Sequence, residues 1–187
     1  MTALPTQQEP APRTAYGHPY VRYIEKTHAY YRRKGSGEDY RYAHHSDGPF
    51  TPLTKPLAQS RLVLISSAGM EIIPEGGPAP VPFKGINVGP KDAVEVFDIP
   101  SDLPKERLIY VTGAHNRAES PMTDIDAFFP ITHVRALQRE GAIGGLTRDF
   151  LRIRPAYSQR KTRELDAPEV LRRCRALGAE VALLVPV

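Results

Sequence analysis

The last nine residues of the chain, 179–187, are predominantly apolar. Six of the final seven residues are aliphatic, and the seventh is Pro186. A run of this kind, following a helical pattern and Gly178, is typical of a fully buried parallel strand. Because ligands of open α/β sheets bind beyond the carboxyl ends of such strands, we expect a functional site just past Val187. The alternative is a strand that simply completes the sheet.

Composition limits the class of protein. The 187 residues are 41% hydrophobic, which is enough for one domain with a core and an arm. No apolar run approaches the roughly 20 residues of a membrane helix, and residues 1–13 lack the apolar core of a signal peptide. We therefore expect a cytoplasmic protein that makes no membrane contact. The single cysteine, Cys174, excludes an internal disulfide and is expected to be a small core residue of a helix.

Two stretches resemble binding sites at first sight. His44, His45 and Asp47 are metal-ligand types, but adjacent histidines rarely face one centre and no third ligand follows at a suitable spacing, so no metal site is expected. Residues 148–163 hold six basic residues, one acid and two aromatics, a composition found on surfaces that bind single-stranded nucleic acid. Without an accompanying motif we expect an exposed connection or an anion contact, so nucleic acid is not an expected partner. Weak nucleic-acid binding with steep salt dependence is the remaining alternative.

The chain is predicted to have three parts, which are a disordered tail (1–17), a helix with an extended strap (18–60) and an α/β domain (61–187). In the last part, strands alternate with helices around an irregular loop at 71–90, and Asp166 is predicted to cap the final helix. The predicted strands are 61–66, 92–99 at an edge, 108–112 and the terminal run. This order predicts a parallel, Rossmann-like or flavodoxin-like three-layer α/β sheet with an N-terminal helical arm.

Small and polar residues follow the first two predicted buried strands. Ser66, Ser67 and Gly69 come directly after the first, and His115 comes just after the second. If both strands are parallel members of one sheet, these residues meet at its carboxyl edge, where a histidine is suited to acid/base catalysis or substrate orientation. The alternatives are small residues that serve packing and a histidine of an ordinary loop.

Two carboxylates, Asp124 and Asp126, precede the helix predicted over residues 132–140, which Thr132 can cap. They are a candidate pair for acid/base chemistry or substrate binding. The alternative is that they stabilise the positive end of the helix dipole.

Four stretches of the chain carry a family pattern, and they are residues 20–27, 49–57, 61–69, and 124–131 through 140–146. They resemble the selenoprotein B subunits of glycine, sarcosine and betaine reductase and the related D-proline reductase subunit. The most specific is the last, with its Phe-Pro helix entry and its Glu-Gly-x-Ile-Gly exit. The chain departs from the family pattern at Thr132, at residues 151–154 and around His115, which leaves the identity of the substrate open.

The resemblance implies a nucleophile that this sequence does not contain. In the family, the terminal strand is followed at once by selenocysteine or cysteine, and then by a Pro-Val-Cys-like segment and a helix. We therefore expect a family member truncated at an in-frame UGA codon after Val187, with selenocysteine beyond it, no other cofactor in this chain, and no activity as it stands. The family cleaves a substrate C–N bond reductively, which implies a small amine or amino-acid-like substrate, other subunits of a reductase complex and a thiol electron donor.

Under this reading Ser66, Ser67, Gly69 and His115 line the crevice and position the substrate. A second hypothesis is a non-catalytic binding or complex-assembly protein of the same fold, with its Tyr-rich N-terminal helix and its basic segment as contact surfaces.

Overall fold

The computed structural model of the protein describes residues 23–35, 48, 51–82, 89–111, 123–154, 156 and 158–187. The chain divides into two compact units, Met1–Gly48 and Pro49–Val187. In the first unit, helix α1 spans Tyr23–Arg33 and ends at Gly35, whose φ of 77° is the left-handed conformation of a helix C-terminus. The helix predicted in the first half of the segment 18–60 is thus observed from Tyr23 to Arg33. The predicted disordered tail, most of the strap and the His44, His45 and Asp47 cluster lie outside the described residues.

The second unit contains the remaining described helices and strands. None of the described helices is long and apolar enough to cross a membrane. Short 3₁₀ turns precede β1, β4 and α2. In chain order the elements are β1 (Arg61–Ser66), β2 (Met70–Ile72), β3 (Val96–Pro100), β4 (Leu108–Tyr110), α2 (Ile131–Arg139), β5 (Gly145–Leu146), β6 (Asp149–Ile153), α3 (Gln159–Lys161), a π-helical turn (Thr162–Asp166), α4 (Ala167–Ala176) and β7 (Val181–Val185).

The main sheet is organised around β1. Strands β5 and β6 pair with one edge of β1 and β7 pairs with the other, all in parallel, while β3 adds to β6 in the antiparallel direction. The order across the sheet is therefore β3, β6, β1, β7. The predicted α/β class with a mostly parallel sheet is confirmed, and so is the edge position of the strand predicted over 92–99.

Strand β1 is covered on both faces. Its residues Leu62 to Ile65 are at most 5% exposed, and alternate residues of a strand point to opposite faces. Each such side chain stabilises the fold by about 1.5–3 kcal/mol relative to an exposed one. Phe129 and Phe150 complete this core, with ring centroids 5.8 Å apart in a T-shaped contact. The run predicted as a strand over 61–66 has the bounds expected for it.

The second predicted buried strand does not join this sheet. Strand β4 pairs with β2 in the antiparallel direction to form a separate two-stranded sheet. Strand β2 begins at Met70 and extends to Ile72, two residues into the stretch 71–90, which was expected to hold no regular element. Strands of three residues carry too little periodicity to be recognised from the sequence. The parallel relation expected between this strand and β1 is therefore wrong.

The basic stretch 148–163 is not an exposed connection. It contains β6, an interior strand whose Phe150 and Leu151 are fully buried. Arg148 stays at the surface, whereas Arg152 is buried beside an aromatic ring and a carboxylate. The charge of Arg152, which had indicated solvent exposure, is thus compensated by contacts with residues distant in the sequence.

The terminal strand is parallel, as predicted, but it is not fully buried. Among the described residues β7 pairs with β1 alone and forms an edge of the sheet, with Leu183 and Leu184 37% and 66% exposed. The apolar composition of the last residues predicts a strand, but it does not distinguish an edge strand such as β7 from one buried between two neighbours.

The last helical segment begins earlier than predicted. Ser158 caps α3, its hydroxyl accepting a hydrogen bond from the Lys161 N–H at 3.2 Å, and the π turn joins α3 to α4. Asp166 caps nothing, because its carboxylate pairs with Lys161 instead. Gly178, with φ of 65°, ends the helix as expected.

Candidate functional site at the carboxyl end of strand β1

Ser66 ends β1, and its hydroxyl holds the following turn. Ser66 Oγ donates a hydrogen bond to the carbonyl of Phe128 at 2.8 Å and accepts one from the Ala68 N–H at 3.0 Å. The residue is 1% exposed. Since the single hydroxyl proton is used inside the protein, Ser66 supports the site rather than offering a donor to a ligand.

Ser67 connects the ends of β1 and β7. Its N–H donates to the carbonyl of Val185 at 3.3 Å, which extends the ladder by one step. Its Oγ accepts from the Val187 N–H at 2.9 Å and lies 3.4 Å from the Val187 carbonyl oxygen, to which it can donate. The two residues after β7 are therefore held against the turn that follows β1.

One row of residues crosses the sheet at this end. Phe97 of β3 pairs with Arg152 of β6, Arg152 pairs with Ser66 of β1, and Ser66 pairs with Val185 of β7. The parallel strands β1, β6 and β7 thus bring Ser66, Arg152 and Val185 to a common level near their carboxyl ends.

Arg152 is a residue of this region that the sequence did not reveal. Its side chain is 6% exposed, its guanidinium lies 4.3 Å from the centre of the Phe97 ring, and its Nη1 lies 3.7 Å from Glu71 Oε1. Burial lowers the pKa of Arg152, and the Glu71 carboxylate opposes that shift. An arginine stays charged in proteins, so a guanidinium with few donors in use is a candidate for binding a carboxylate.

A small cavity adjoins this arginine. Its volume is about 190 Å³, and it lies between β2, β3 and the end of β6. Two acidic side chains, Glu71 and Asp98, line it together with Arg152 and the Phe97 ring. The cavity therefore offers one positive and two negative groups, although Asp98 is already paired with Arg173 at 2.9 Å.

The other predicted site residues are dispersed. Gly69 is buried, and its carbonyl accepts from the Val111 N–H at 2.7 Å, which ties the turn after β1 to the residue following β4. Asp124 is exposed and makes no capping bond. His115 lies outside the described residues, so its expected meeting with Ser67 stays a prediction.

Asp126 stabilises the start of α2. Its Oδ1 accepts from the Thr132 N–H at 2.9 Å and its Oδ2 pairs with Lys105 Nζ at 3.0 Å. Burial alone would raise the pKa of Asp126, but the Thr132 and Lys105 hydrogen bonds outweigh it and hold the pKa below its usual value. The alternative in which Asp126 stabilises the positive end of the helix dipole therefore fits the structure. The helix is capped by the Asp126 carboxylate and not by the Thr132 side chain.

Cys174 has the environment of a packing residue. It is half-buried on α4 against the core, and burial raises the pKa of its thiol. A raised pKa reduces the thiolate fraction near neutral pH and therefore the nucleophilicity. No group of three or more His, Cys, Asp or Glu side chains within the described part of the chain is placed to hold a metal ion.

Comparisons of the chain with models of protein families, with curated proteins and with solved structures found no match.

Proposed function

We propose that the chain is a subunit of a reductase of the glycine, sarcosine, betaine or D-proline reductase type, whose nucleophile directly follows Val187. One observation carries the proposal: the Val187 N–H is bonded to Ser67 Oγ at 2.9 Å. A residue attached to Val187 would therefore emerge beside the carboxyl end of β1, where open α/β sheets bind their ligands.

The strand order supports this location. The two-residue strand β5 pairs with the same edge of β1 as β6 does; apart from it, the parallel strands lie in the order β6, β1, β7, which is second, first, third along the chain. This is the start of a flavodoxin-like order, and we propose a three-layer sheet of that type. Its ligand crevice opens between the first and third parallel strands, which here are β1 and β7.

The proposed chemistry is a two-electron reduction. A selenolate or thiolate attacks the carbon that bears nitrogen, a chalcogen–carbon bond forms, and the C–N bond breaks as the amine leaves with a proton. A thiol then attacks the chalcogen, the carbon takes up a proton, and the selenenyl sulfide or disulfide that remains is reduced by an external thiol donor. His115 is the proposed proton donor to the leaving amine.

Arg152 and Glu71 suit the proposed amino-acid-like substrate. The guanidinium would bind a carboxylate and the Glu71 carboxylate an ammonium group, across the 190 Å³ cavity. Stacking on Phe97 at 4.3 Å restrains the guanidinium before a ligand arrives.

The nucleotides that follow the Val187 codon provide the first test. We expect an in-frame UGA and then an open frame that encodes a Pro-Val-Cys-like segment and a helix. A UAA or UAG codon there, with no continuing frame, would exclude the proposal.

The second test is enzymatic and uses the protein extended through that frame. Proteins with selenocysteine, cysteine or serine after Val187 are incubated with glycine, sarcosine, betaine or D-proline, the partner subunits and a dithiol. The rate of reductive C–N cleavage is expected to be highest for the selenocysteine protein and lower for the cysteine protein, and the serine protein should show no cleavage. Within the selenocysteine protein, Arg152→Met should raise KM at least about tenfold, while the exposed Arg175→Met should not change it. Equal activity of the serine protein would refute the assignment.

A non-catalytic assembly role is the second candidate, and the exposed apolar surface at β7 favours it. Leu183 and Leu184 are 37% and 66% exposed in a strand without a charged residue, and Val187, two residues beyond the strand, is 45% exposed. Edge strands of monomeric proteins are commonly protected by charges or bulges. This role predicts no C–N cleavage after extension, and co-elution with a discrete partner that Leu184→Lys abolishes without lowering stability.

A further inference from the structure

A larger cavity lies away from the β1–β7 crevice. Its volume is about 490 Å³, and it is formed by α2, the turn after β3 and the link between β5 and β6. It adjoins the amino end of β6, where Pro100 pairs with Asp149, whereas Ser67 follows the carboxyl end of β1. Its polar lining includes Ser101, Thr132, Arg135, Gln138, Arg139 and Arg148.

The lining carries an excess of positive charge. Three arginines face one carboxylate, that of Asp102. Arg148 is compensated by Asp149, with Nη2 and Oδ2 2.7 Å apart. Within the described residues neither Arg135 nor Arg139 forms an ion pair, and their guanidinium groups bond only to backbone carbonyls.

Arg135 is held in place before any ligand binds. Its Nε donates to the Ser101 carbonyl at 2.8 Å and its Nη2 to the Leu103 carbonyl at 2.7 Å, so Nη1 has no bond to a described residue. Thr132 and Arg139 lie three residues before and four residues after it on α2, and therefore on the same helix face. Arg139 Nε reaches the Arg135 carbonyl at 3.4 Å. Two guanidinium groups thus line one side of the cavity, whereas the Thr132 side chain is hydrogen-bonded to Asp126.

We propose that this cavity binds the phosphate group of a small organic phosphate. Planar guanidinium forks match the geometry of phosphate oxygens. The volume is in the range of small-molecule pockets, which are about 300–1,000 Å³. A nucleic-acid surface would need an extended basic groove, whereas Asp98, Asp102 and Asp149 interrupt the positive charge on this side.

Calorimetric titration of the 187-residue chain with ADP tests the proposal, with citrate and a short single-stranded DNA as competing ligands. We expect saturable ADP binding with a Kd below about 1 mM, because Arg135 and Arg139, which form no ion pair within the described residues, contribute charge-assisted bonds. Arg139→Gln should weaken ADP binding about tenfold, since it removes one such bond from an exposed side chain. The matched control Arg175→Gln removes the same charge from an exposed position on α4 that does not line the cavity, and should change the Kd less than about twofold.

Four results would overturn the proposal. They are the absence of saturable ADP binding, equal weakening by Arg139→Gln and Arg175→Gln, citrate binding as tight as that of ADP, and DNA binding tighter than that of ADP. Absent ADP binding, or equal weakening by the two variants, would show that the arginines of the cavity do not bind the phosphate. Equal or tighter binding of citrate, or tighter binding of DNA, would show that the positive charge of the cavity serves carboxylates or nucleic acid instead. Since extension beyond Val187 is not involved, failure here is independent of the reductase test.

Discussion

Replacing Lys161 by methionine should be among the most destabilising single changes in this protein. Lys161 is fully buried and Asp166 is 3% exposed, and the ammonium nitrogen lies 2.8 Å from both carboxylate oxygens. Within the described part of the chain, one other group donates to that carboxylate, the Glu95 N–H, which lies 3.5 Å from Oδ1. Lys161→Met would therefore leave a buried charge with one long hydrogen bond.

The expected loss is about 3–5 kcal/mol in the free energy of unfolding, the cost of breaking a buried pair from one side. Domains of this size are stable by about 5–15 kcal/mol, so the variant should remain partly or wholly folded. With a urea dependence of about 2 kcal/mol per molar, the unfolding midpoint should fall by about 2 M. Urea titration followed by circular dichroism measures it.

Two further variants make the experiment decisive. Lys161→Met combined with Asp166→Leu removes both charges, and should recover most of the loss because an apolar pair can replace a buried ion pair. Arg160→Gln breaks the exposed neighbouring pair with Glu164, 3.4 Å apart, and should cost less than about 0.5 kcal/mol. A loss below about 1 kcal/mol for Lys161→Met, or a double variant no more stable than the single one, would refute this reasoning.

Two more expectations follow from the titrating groups. Asp126→Ala should lower the free energy of unfolding by about 1 kcal/mol at pH 7, because the Thr132 N–H loses its cap. Folding lowers the pKa of Asp126, so this contribution is present above about pH 4 and is lost as the pH falls through the lowered pKa. In urea titrations, the difference in the free energy of unfolding between the wild type and Asp126→Ala should therefore be smaller at pH 3 than at pH 7. A larger difference between the two proteins at pH 3 than at pH 7 would contradict the capping role of Asp126. Cys174 should react with a disulfide reagent more slowly in the folded protein than in urea, because burial raises the pKa of its thiol, and a faster reaction in the folded state would contradict the packing role.

Strand β1 and helix α2 could be predicted because their signals are local. Four consecutive aliphatic residues from Leu62 define the strand, and the periodicity from Ile131 to Val134 defines the buried side of the helix. Gly141 and Gly178 both have positive φ at helix ends, as glycine at such positions predicts. No partner outside these segments was needed to recognise them.

Strand β6 could not be predicted because its compensation is tertiary. Arg152 is stabilised in the interior by Phe97 and Glu71, which are 55 and 81 residues away in the sequence. A local reading sees only a charge that interrupts an apolar run. For the same reason the sequence could not predict that Arg152 belongs to the candidate site, because its pairing with Ser66 depends on the register of two strands distant in the chain.

The role of Asp166 was misread for a similar reason. Asp-x-Pro-Glu type sequences are good helix starts, but Ser158 begins the helix eight residues earlier and Asp166 meets a lysine inside it. The cap predicted from the local sequence is wrong because the carboxylate pairs with the buried Lys161.

The π turn that joins α3 to α4 determines how tolerant this helix is to changes of length. Residues five apart in an α-helix point about 140° away from each other, whereas the wider turn, closed by the Ala167 N–H on the Thr162 carbonyl, lets Lys161 face Asp166. Deleting one residue from 162–165 would place the lysine and the aspartate four positions apart in a regular α-helix, about 40° apart on one face, so their contact would be retained. The irregular turn therefore accommodates one additional residue between the two paired side chains, and a variant that lacks this residue is expected to keep the buried pair.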